Sequence, residues 1–160
     1  MRGRLVLLSG VIAAGAVVLS AATSTAAAKP KATKITCQST VYYPTPTQPK
    51  GIGFAALDCP KPGAGAGVQS ITYSATISST GAVTAKLAFK EWFDTGTTHG
   101  TASLTGQFTS ATSGSVKGPV TVTGGTGAYK ATRGKGTTSC KTSDGGAIYT
   151  CTTLLTLTGL

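Results

Sequence analysis

Acidic residues are scarce in this chain, and their scarcity limits the chemistry that it can perform. The 160 residues include only four Asp and Glu residues and one His. A pair of carboxylates for glycoside hydrolysis would have to combine Glu91 with Asp58 or Asp94. Asp94 and Asp144 each precede a glycine-containing turn sequence, where Asp is common for local reasons. The sequence therefore gives little support for a glycosidase.

Several motifs of common enzyme and metal sites are also missing. Without a Gly-x-Ser-x-Gly motif, a serine hydrolase would depend on His99, which we predict to be a solvated residue of the loop 97–100. A zinc site is not favoured, because the chain has no Cys-x-x-Cys motif and only one His. The absence of Asn excludes N-glycosylation. We expect neither a metal nor an organic cofactor.

The chain has no helical period beyond its N-terminal segment, but apolar and polar residues alternate over most of the remainder. This alternation predicts eight strands, at residues 35–43, 52–58, 71–77, 83–93, 101–108, 116–123, 129–141 and 147–157. Because no helix is available to cover their apolar face, the sheet must close into a barrel or fold into a sandwich. Short sequential connections favour an all-β, eight-stranded antiparallel up-and-down barrel. A β-sandwich adhesion module with Greek-key strand order is the remote alternative.

The N-terminal segment has the features of a secretory signal peptide. Arg2 and Arg4 form a basic region, Leu5–Leu19 is an apolar run shorter than a membrane span, and Ala26–Ala28 offers a cleavage site. We therefore predict a signal peptide at residues 1–28 and a secreted, extracellular protein, with association to the cell envelope as an option. An uncleaved membrane anchor is the alternative.

The mature chain is predicted to be strongly basic. Cleavage after residue 28 leaves 12 basic and 4 acidic residues, a net charge of +8. We predict that residues 29–34 form a mobile basic arm and that residues 35–160 form the barrel domain. The basic residues are spread out and cluster only at Lys130, Arg133 and Lys135. This distribution does not favour nucleic acid, and it is consistent with loose attraction to anionic envelope polymers.

Four cysteines in an exported chain indicate two disulfides. Three pairings are open, and we favour the local pairs Cys37–Cys59 and Cys140–Cys151. A turn at Gly145-Gly146 would place Cys140 opposite Cys151. That register puts the pair at a hydrogen-bonded site, where the Cα atoms are farther apart, unless a bulge intervenes.

The link between the sixth and seventh predicted strands carries an unusual glycine motif. It reads Gly-Gly-Thr-Gly-x-Tyr-x-x-x-Arg-Gly and consists of Gly124, Gly125, Thr126, Gly127, Tyr129, Arg133 and Gly134. The motif resembles the signature of the dirigent and allene oxide cyclase-like barrels, which have Phe in place of Tyr129 and Ala in place of Thr132. The resemblance implies a barrel that holds a hydrophobic small molecule. Some members of that group steer its cyclisation or coupling without a cofactor, but their catalytic acids have no motif-anchored match here.

Glu91 is the acidic residue with the most informative position. It occupies the apolar parity of its strand between Phe89 and Phe93, so a regular alternation points it into the barrel. If Tyr129 also points inward, the same parity brings Arg133 inward, and we predict an interior Glu91–Arg133 pair. The alternative is that a bulge turns Glu91 outward or that it lies at the barrel rim in water.

The leading functional prediction is that the barrel binds a small apolar or aromatic molecule. The predicted ligand-binding residues are Tyr73, Phe89, Phe108 and Tyr129. Cofactor-free cyclase-like catalysis would use Glu91 and Arg133 as the polar groups. The alternative is a non-catalytic, basic envelope or interaction protein whose barrel is filled by its own side chains. Trp92, at outward parity, is predicted to pack on the surface or to contact another subunit, and the oligomeric state is open.

Overall fold

The computed structural model describes residues 31–46 and 48–160, so the predicted signal peptide and the start of the predicted arm lie outside the described residues. The strands are β1 (Thr33–Tyr42), β2 (Lys50–Cys59), β3 (Gly65–Ile77), β4 (Ala82–Phe93), β5 (Gly96–Phe108), β6 (Gly114–Gly127), β7 (Arg133–Thr142) and β8 (Ile148–Thr158). No helix in this part of the chain is long and apolar enough to cross a bilayer.

The sheet closes on itself as an up-and-down barrel. Each strand pairs antiparallel with the next one in sequence, and β8 pairs antiparallel with β1. Each of the eight described strands therefore has a neighbouring strand on both sides. The predicted eight-stranded antiparallel barrel is confirmed, and the sandwich alternative is wrong.

Strand alternation decides which side chains form the core. In β2, Ala55, Leu57 and Cys59 point inward and are buried, whereas Ile52 and Phe54 point outward and are half exposed. The apolar residues of the other strands contribute in the same way to one cluster inside the barrel. The barrel interior is therefore the only large apolar core of the described residues.

Two disulfides join neighbouring strands, with the predicted pairing. Cys37–Cys59 links β1 to β2, and Cys140–Cys151 links β7 to β8. The Cα atoms of Cys140 and Cys151 are 4.0 Å apart, which fits a non-hydrogen-bonded pair rather than the predicted hydrogen-bonded one. The reason is that the connection spans residues 143–147 and is longer than a two-residue turn. Two disulfides are compatible with an oxidising, extracellular environment.

Six of the eight strands, β1 to β6, begin earlier than predicted, and β7 and β8 begin later. β1 starts at Thr33, so it includes the last two residues of the predicted arm 29–34 and pairs there with β8. β5 starts at Gly96, because only Asp94 and Thr95 connect it to β4. The predicted loop 97–100 is therefore part of a strand, and His99 lies on its outer face.

Candidate functional site: the barrel lumen

Three adjoining chambers run through the barrel. We name them by their position: the tyrosine chamber at one end, the middle chamber, and the far chamber at the other end. Their volumes are about 70, 80 and 20 Å³. Tyr43 and Leu104 line both the tyrosine chamber and the middle chamber, and Glu91 and Val122 line both the middle chamber and the far chamber. The shared walls show that the chambers adjoin.

The walls of the chambers are mainly apolar. Of the predicted ligand-binding residues, Tyr73 and Phe108 line the tyrosine chamber, Phe89 lines the middle chamber, and Tyr129 lines the far chamber. The aromatic rings do not fill the barrel interior completely, because other inward side chains, such as that of Ala102, are small. The space is smaller than a drug-sized pocket. Only the three adjoining chambers together are on the scale of an apolar cavity of about 150 Å³ that admits one benzene ring.

Glu91 points into this lumen, as predicted, and it has two neutral partners. Gln69 in β3, Glu91 in β4 and Thr98 in β5 lie directly opposite one another in the sheet register. Gln69 Nε2 donates a hydrogen bond of 3.0 Å to Glu91 Oε1, and Thr98 Oγ1 donates one to Glu91 Oε2. Each carboxylate oxygen therefore accepts one hydrogen bond from the barrel wall.

Burial changes the acidity of Glu91. Desolvation inside the barrel raises the pKa of its carboxyl above the ordinary value of 4.5, and the hydrogen bonds from Thr98 and Gln69 oppose this rise in part. The side chain keeps some accessible surface, but it lines two internal chambers rather than the outer wall. The Glu91 carboxyl is therefore shielded from bulk water.

Glu91 is also the lone charged side chain of the lumen. Among the described residues that line the three chambers there is no Lys, Arg, His or Asp. A second polar group of the middle chamber is neutral: Thr153 Oγ1 donates a 2.8 Å hydrogen bond to Thr138 Oγ1. Glu91 is on β4 and Thr153 is on β8, so they stand on opposite walls of the eight-stranded ring.

The predicted Glu91–Arg133 pair does not form. Arg133 is on the outer wall, beside Lys135, and its guanidinium donates a 2.7 Å hydrogen bond to the carbonyl of Thr132. The parity argument fails because the chain turns between Tyr129 and Thr132: the amide of Thr132 donates to the carbonyl of Tyr129 at 3.0 Å. Side-chain alternation cannot be counted through such a turn.

The glycine motif builds this turn at the far end of the barrel. Gly127 has a φ of +58°, a conformation that side-chain-bearing residues rarely adopt. The turn directs Tyr129 inward, where its ring lies 5.6 Å from that of Phe93 and its hydroxyl accepts a hydrogen bond from Thr95. Thr132, the position where the resembling family has Ala, is fully buried, and its hydroxyl donates to the carbonyl of Gly159 at 2.8 Å.

Tyrosines line the opposite end. The ring of Tyr43 makes edge contacts with those of Tyr73 and Tyr149, at centroid distances of 5.0 and 5.8 Å. Tyr73 donates a 2.8 Å hydrogen bond to the carbonyl of Thr45. Burial raises the pKa of the Tyr43 hydroxyl above its ordinary range, so it stays protonated. Sequence reasoning missed Tyr43, although it continues the inward parity of Val41.

The other acidic candidates lie outside the lumen. Asp144 is in the connection between β7 and β8, where it accepts hydrogen bonds from Thr142 Oγ1 at 2.7 Å and from the amide of Ile148 at 3.0 Å. These bonds lower the pKa of its carboxyl. Asp94 lies in the turn between β4 and β5, and Asp58 points outward.

Among residues 31–46 and 48–160, no three His, Cys, Asp or Glu residues form a group that could hold a metal ion.

Comparison with protein-family models, with curated proteins and with solved structures finds no match for this chain. The resemblance of the glycine motif to the dirigent and allene oxide cyclase-like barrels therefore stays a prediction.

Proposed function

We propose that this protein acts outside the cell and binds one small apolar or aromatic molecule inside its barrel. The observation that carries the proposal is the lumen itself: adjoining chambers with apolar walls and one carboxyl group, Glu91, on the wall of the middle chamber. The chambers suit a ligand of about one ring. The glycine motif and the two disulfides support the dirigent-like and extracellular parts of the proposal.

Cyclisation of the bound molecule is the finer form of this proposal. Cofactor-free catalysis in the lumen would use Glu91 as its acid, because the raised pKa of a buried carboxyl lets it hold and transfer a proton nearer neutral pH. Arg133 has no part in such a step, because it faces the outside. The walls would supply most of the rate enhancement by restricting the conformations of the bound molecule.

The experiment is to measure the binding of toluene and benzyl alcohol by calorimetry in the wild type and in a variant with a filled lumen. Ala102→Phe places a ring in the middle chamber, and Ala88→Phe places the same ring on the outer face of the neighbouring strand. We expect Ala102→Phe to abolish binding and Ala88→Phe to retain it. If Ala102→Phe does not fold, Ala102→Leu, which fills less of the same chamber, replaces it. Equal binding by a folded lumen variant and the wild type would contradict the proposal.

A second function, attachment to an anionic lipid surface, is favoured by the outer face. We call the rings of Tyr42, Phe54 and Trp92, together with the neighbouring Val68 side chain, the aromatic band. Between 38 and 57% of each of these four residues is exposed. Tyr42 is opposite Phe54, and Val68 is opposite Trp92, so the band crosses β1 to β4. Lys90 lies 5.2 Å from the Trp92 ring. Exposed aromatic rings beside lysines are typical of surfaces that lie on anionic membranes.

A further inference from the structure

We infer that the lumen selects an organic cation: a small ring that carries a protonated amine, with Glu91 as its counter-ion. This inference rests on the proposed function, because it names the class of molecule that the chambers would take. The described residues that line the lumen include one acidic side chain and no basic side chain. The protein as a whole, in contrast, is strongly basic.

The hydrogen bonds of Glu91 leave it able to take such a ligand. An ionised carboxylate offers about four acceptor sites. Gln69 and Thr98 use one on each oxygen, and both are neutral, so they orient the carboxylate without balancing its charge. The remaining acceptor sites are available to a ligand in the chambers that Glu91 lines. An ammonium group there would make a charge-assisted hydrogen bond.

The surroundings favour a cation over an anion or a purely apolar molecule. A buried carboxylate is costly unless a cation pairs with it, and a protonated amine would be that partner. Phe89 and Phe93 lie two residues to either side of Glu91 on the same face, and the ring of Tyr129 lies against Phe93. Aromatic faces attract cations. An anionic ligand would meet Glu91 with no Lys, Arg or His among the described lining residues.

Cation binding and ionisation of Glu91 are coupled. The elements beside it present the neutral side chains of Gln69 from β3 and Thr98 from β5. The other titratable groups facing the same chambers are the hydroxyl of Tyr43, whose pKa burial raises, and the hydroxyl of Tyr129. A protonated amine needs Glu91 ionised, so its affinity should rise with pH through the raised pKa of Glu91. It should fall again when the amine itself loses its proton.

The test compares benzylamine with benzyl alcohol, which has nearly the same shape but no charge, by calorimetry on the full mature chain. The variants are Glu91→Gln and, as a matched control, Asp58→Asn, which makes the same change of charge on the outer face. We expect the wild type and Asp58→Asn to bind benzylamine about tenfold or more tightly than benzyl alcohol. Glu91→Gln should lose this preference, because a protonated amine would then lie in the lumen without a counter-ion.

A second measurement does not depend on the folding of Glu91→Gln. Calorimetry of the wild type in two buffers of different ionisation enthalpy counts the protons released, and below the pKa of Glu91 benzylamine should release one proton while benzyl alcohol releases none. Equal affinities for the two molecules, or no proton release, would overturn the inference and leave the proposed function standing. Failure of both molecules to bind would overturn the inference and the proposed function together.

Discussion

Gln69 and Glu91 face each other across β3 and β4 inside the barrel, with 3.0 Å between Gln69 Nε2 and Glu91 Oε1. This contact places a neutral donor beside a carboxyl in a lumen whose other described lining residues carry no charge. The fold thus holds Glu91 in a fixed position while its burial favours the protonated form.

Glu91 should make the protein less stable as the pH rises. Its pKa is raised in the folded state, so the folded protein binds the proton more tightly than the unfolded chain does. The unfolding free energy should therefore fall as the pH increases from about the unfolded value through the folded pKa, by about 1.4 kcal/mol for each unit of upward shift. Urea unfolding of the wild type and Glu91→Gln across pH measures this slope. The same slope in both proteins would show that Glu91 is not its source.

Thr98 should hold the pKa of Glu91 below the value that burial alone would give. Thr98→Val keeps the shape but removes the hydroxyl that donates to Glu91 Oε2, so the ionised form loses one donor and the pKa should rise further. Thr98→Ser keeps a hydroxyl and should stay close to the wild type. Carbon NMR of the Glu91 carboxyl during a pH titration reports the value directly. A pKa in Thr98→Val equal to or below that of the wild type would contradict this role.

The two disulfides should contribute unequally to stability. Cys37–Cys59 closes a sequence separation of 22 residues and Cys140–Cys151 one of 11. Loop entropy predicts about 3 kcal/mol for each, with the larger loss for the longer separation. Paired Cys→Ala variants of each bridge, compared by urea unfolding, test the order. A larger loss from the shorter separation would show that loop entropy does not set the order.

The aromatic band should respond to anionic lipid. Trp92 is the one Trp of the chain, and it is 38% exposed, so its fluorescence reports on this face alone. We expect a blue shift with vesicles that contain phosphatidylglycerol and none with phosphatidylcholine vesicles, because Lys90 lies beside the band. Phe54→Ser should weaken the shift. Emission that is unchanged by anionic vesicles would remove the support for the second function.

The strand pattern was readable from the sequence because the apolar period of two continues through nearly every strand. It predicted the barrel and the inward direction of Glu91. The sequence does not predict Thr98 as a partner of Glu91, because it predicts a loop up to Gly100 between β4 and β5. It does not predict Gln69, because the predicted third strand begins only at residue 71, whereas β3 begins at Gly65. A two-residue turn at Asp94-Thr95 places Thr98 opposite Glu91 by counting alone.

The position of Arg133 was beyond such counting. The turn from Tyr129 to Thr132 depends on backbone hydrogen bonds and on the positive φ of Gly127, and neither appears in the hydrophobic period. The size of the lumen was equally hidden. It depends on how Phe89, Phe108 and Ala102 share the interior, and a sequence gives their volumes but not their arrangement.

The most direct test of the central claim is a crystal structure of the mature protein soaked with bromobenzene, with the bromine located by its anomalous scattering. The account predicts a bromine peak inside the barrel, in the middle chamber, and no such peak in Ala102→Phe. A lumen without bromine in the wild type, or bromine only on the outer aromatic band, would contradict the claim that the barrel holds a small ring.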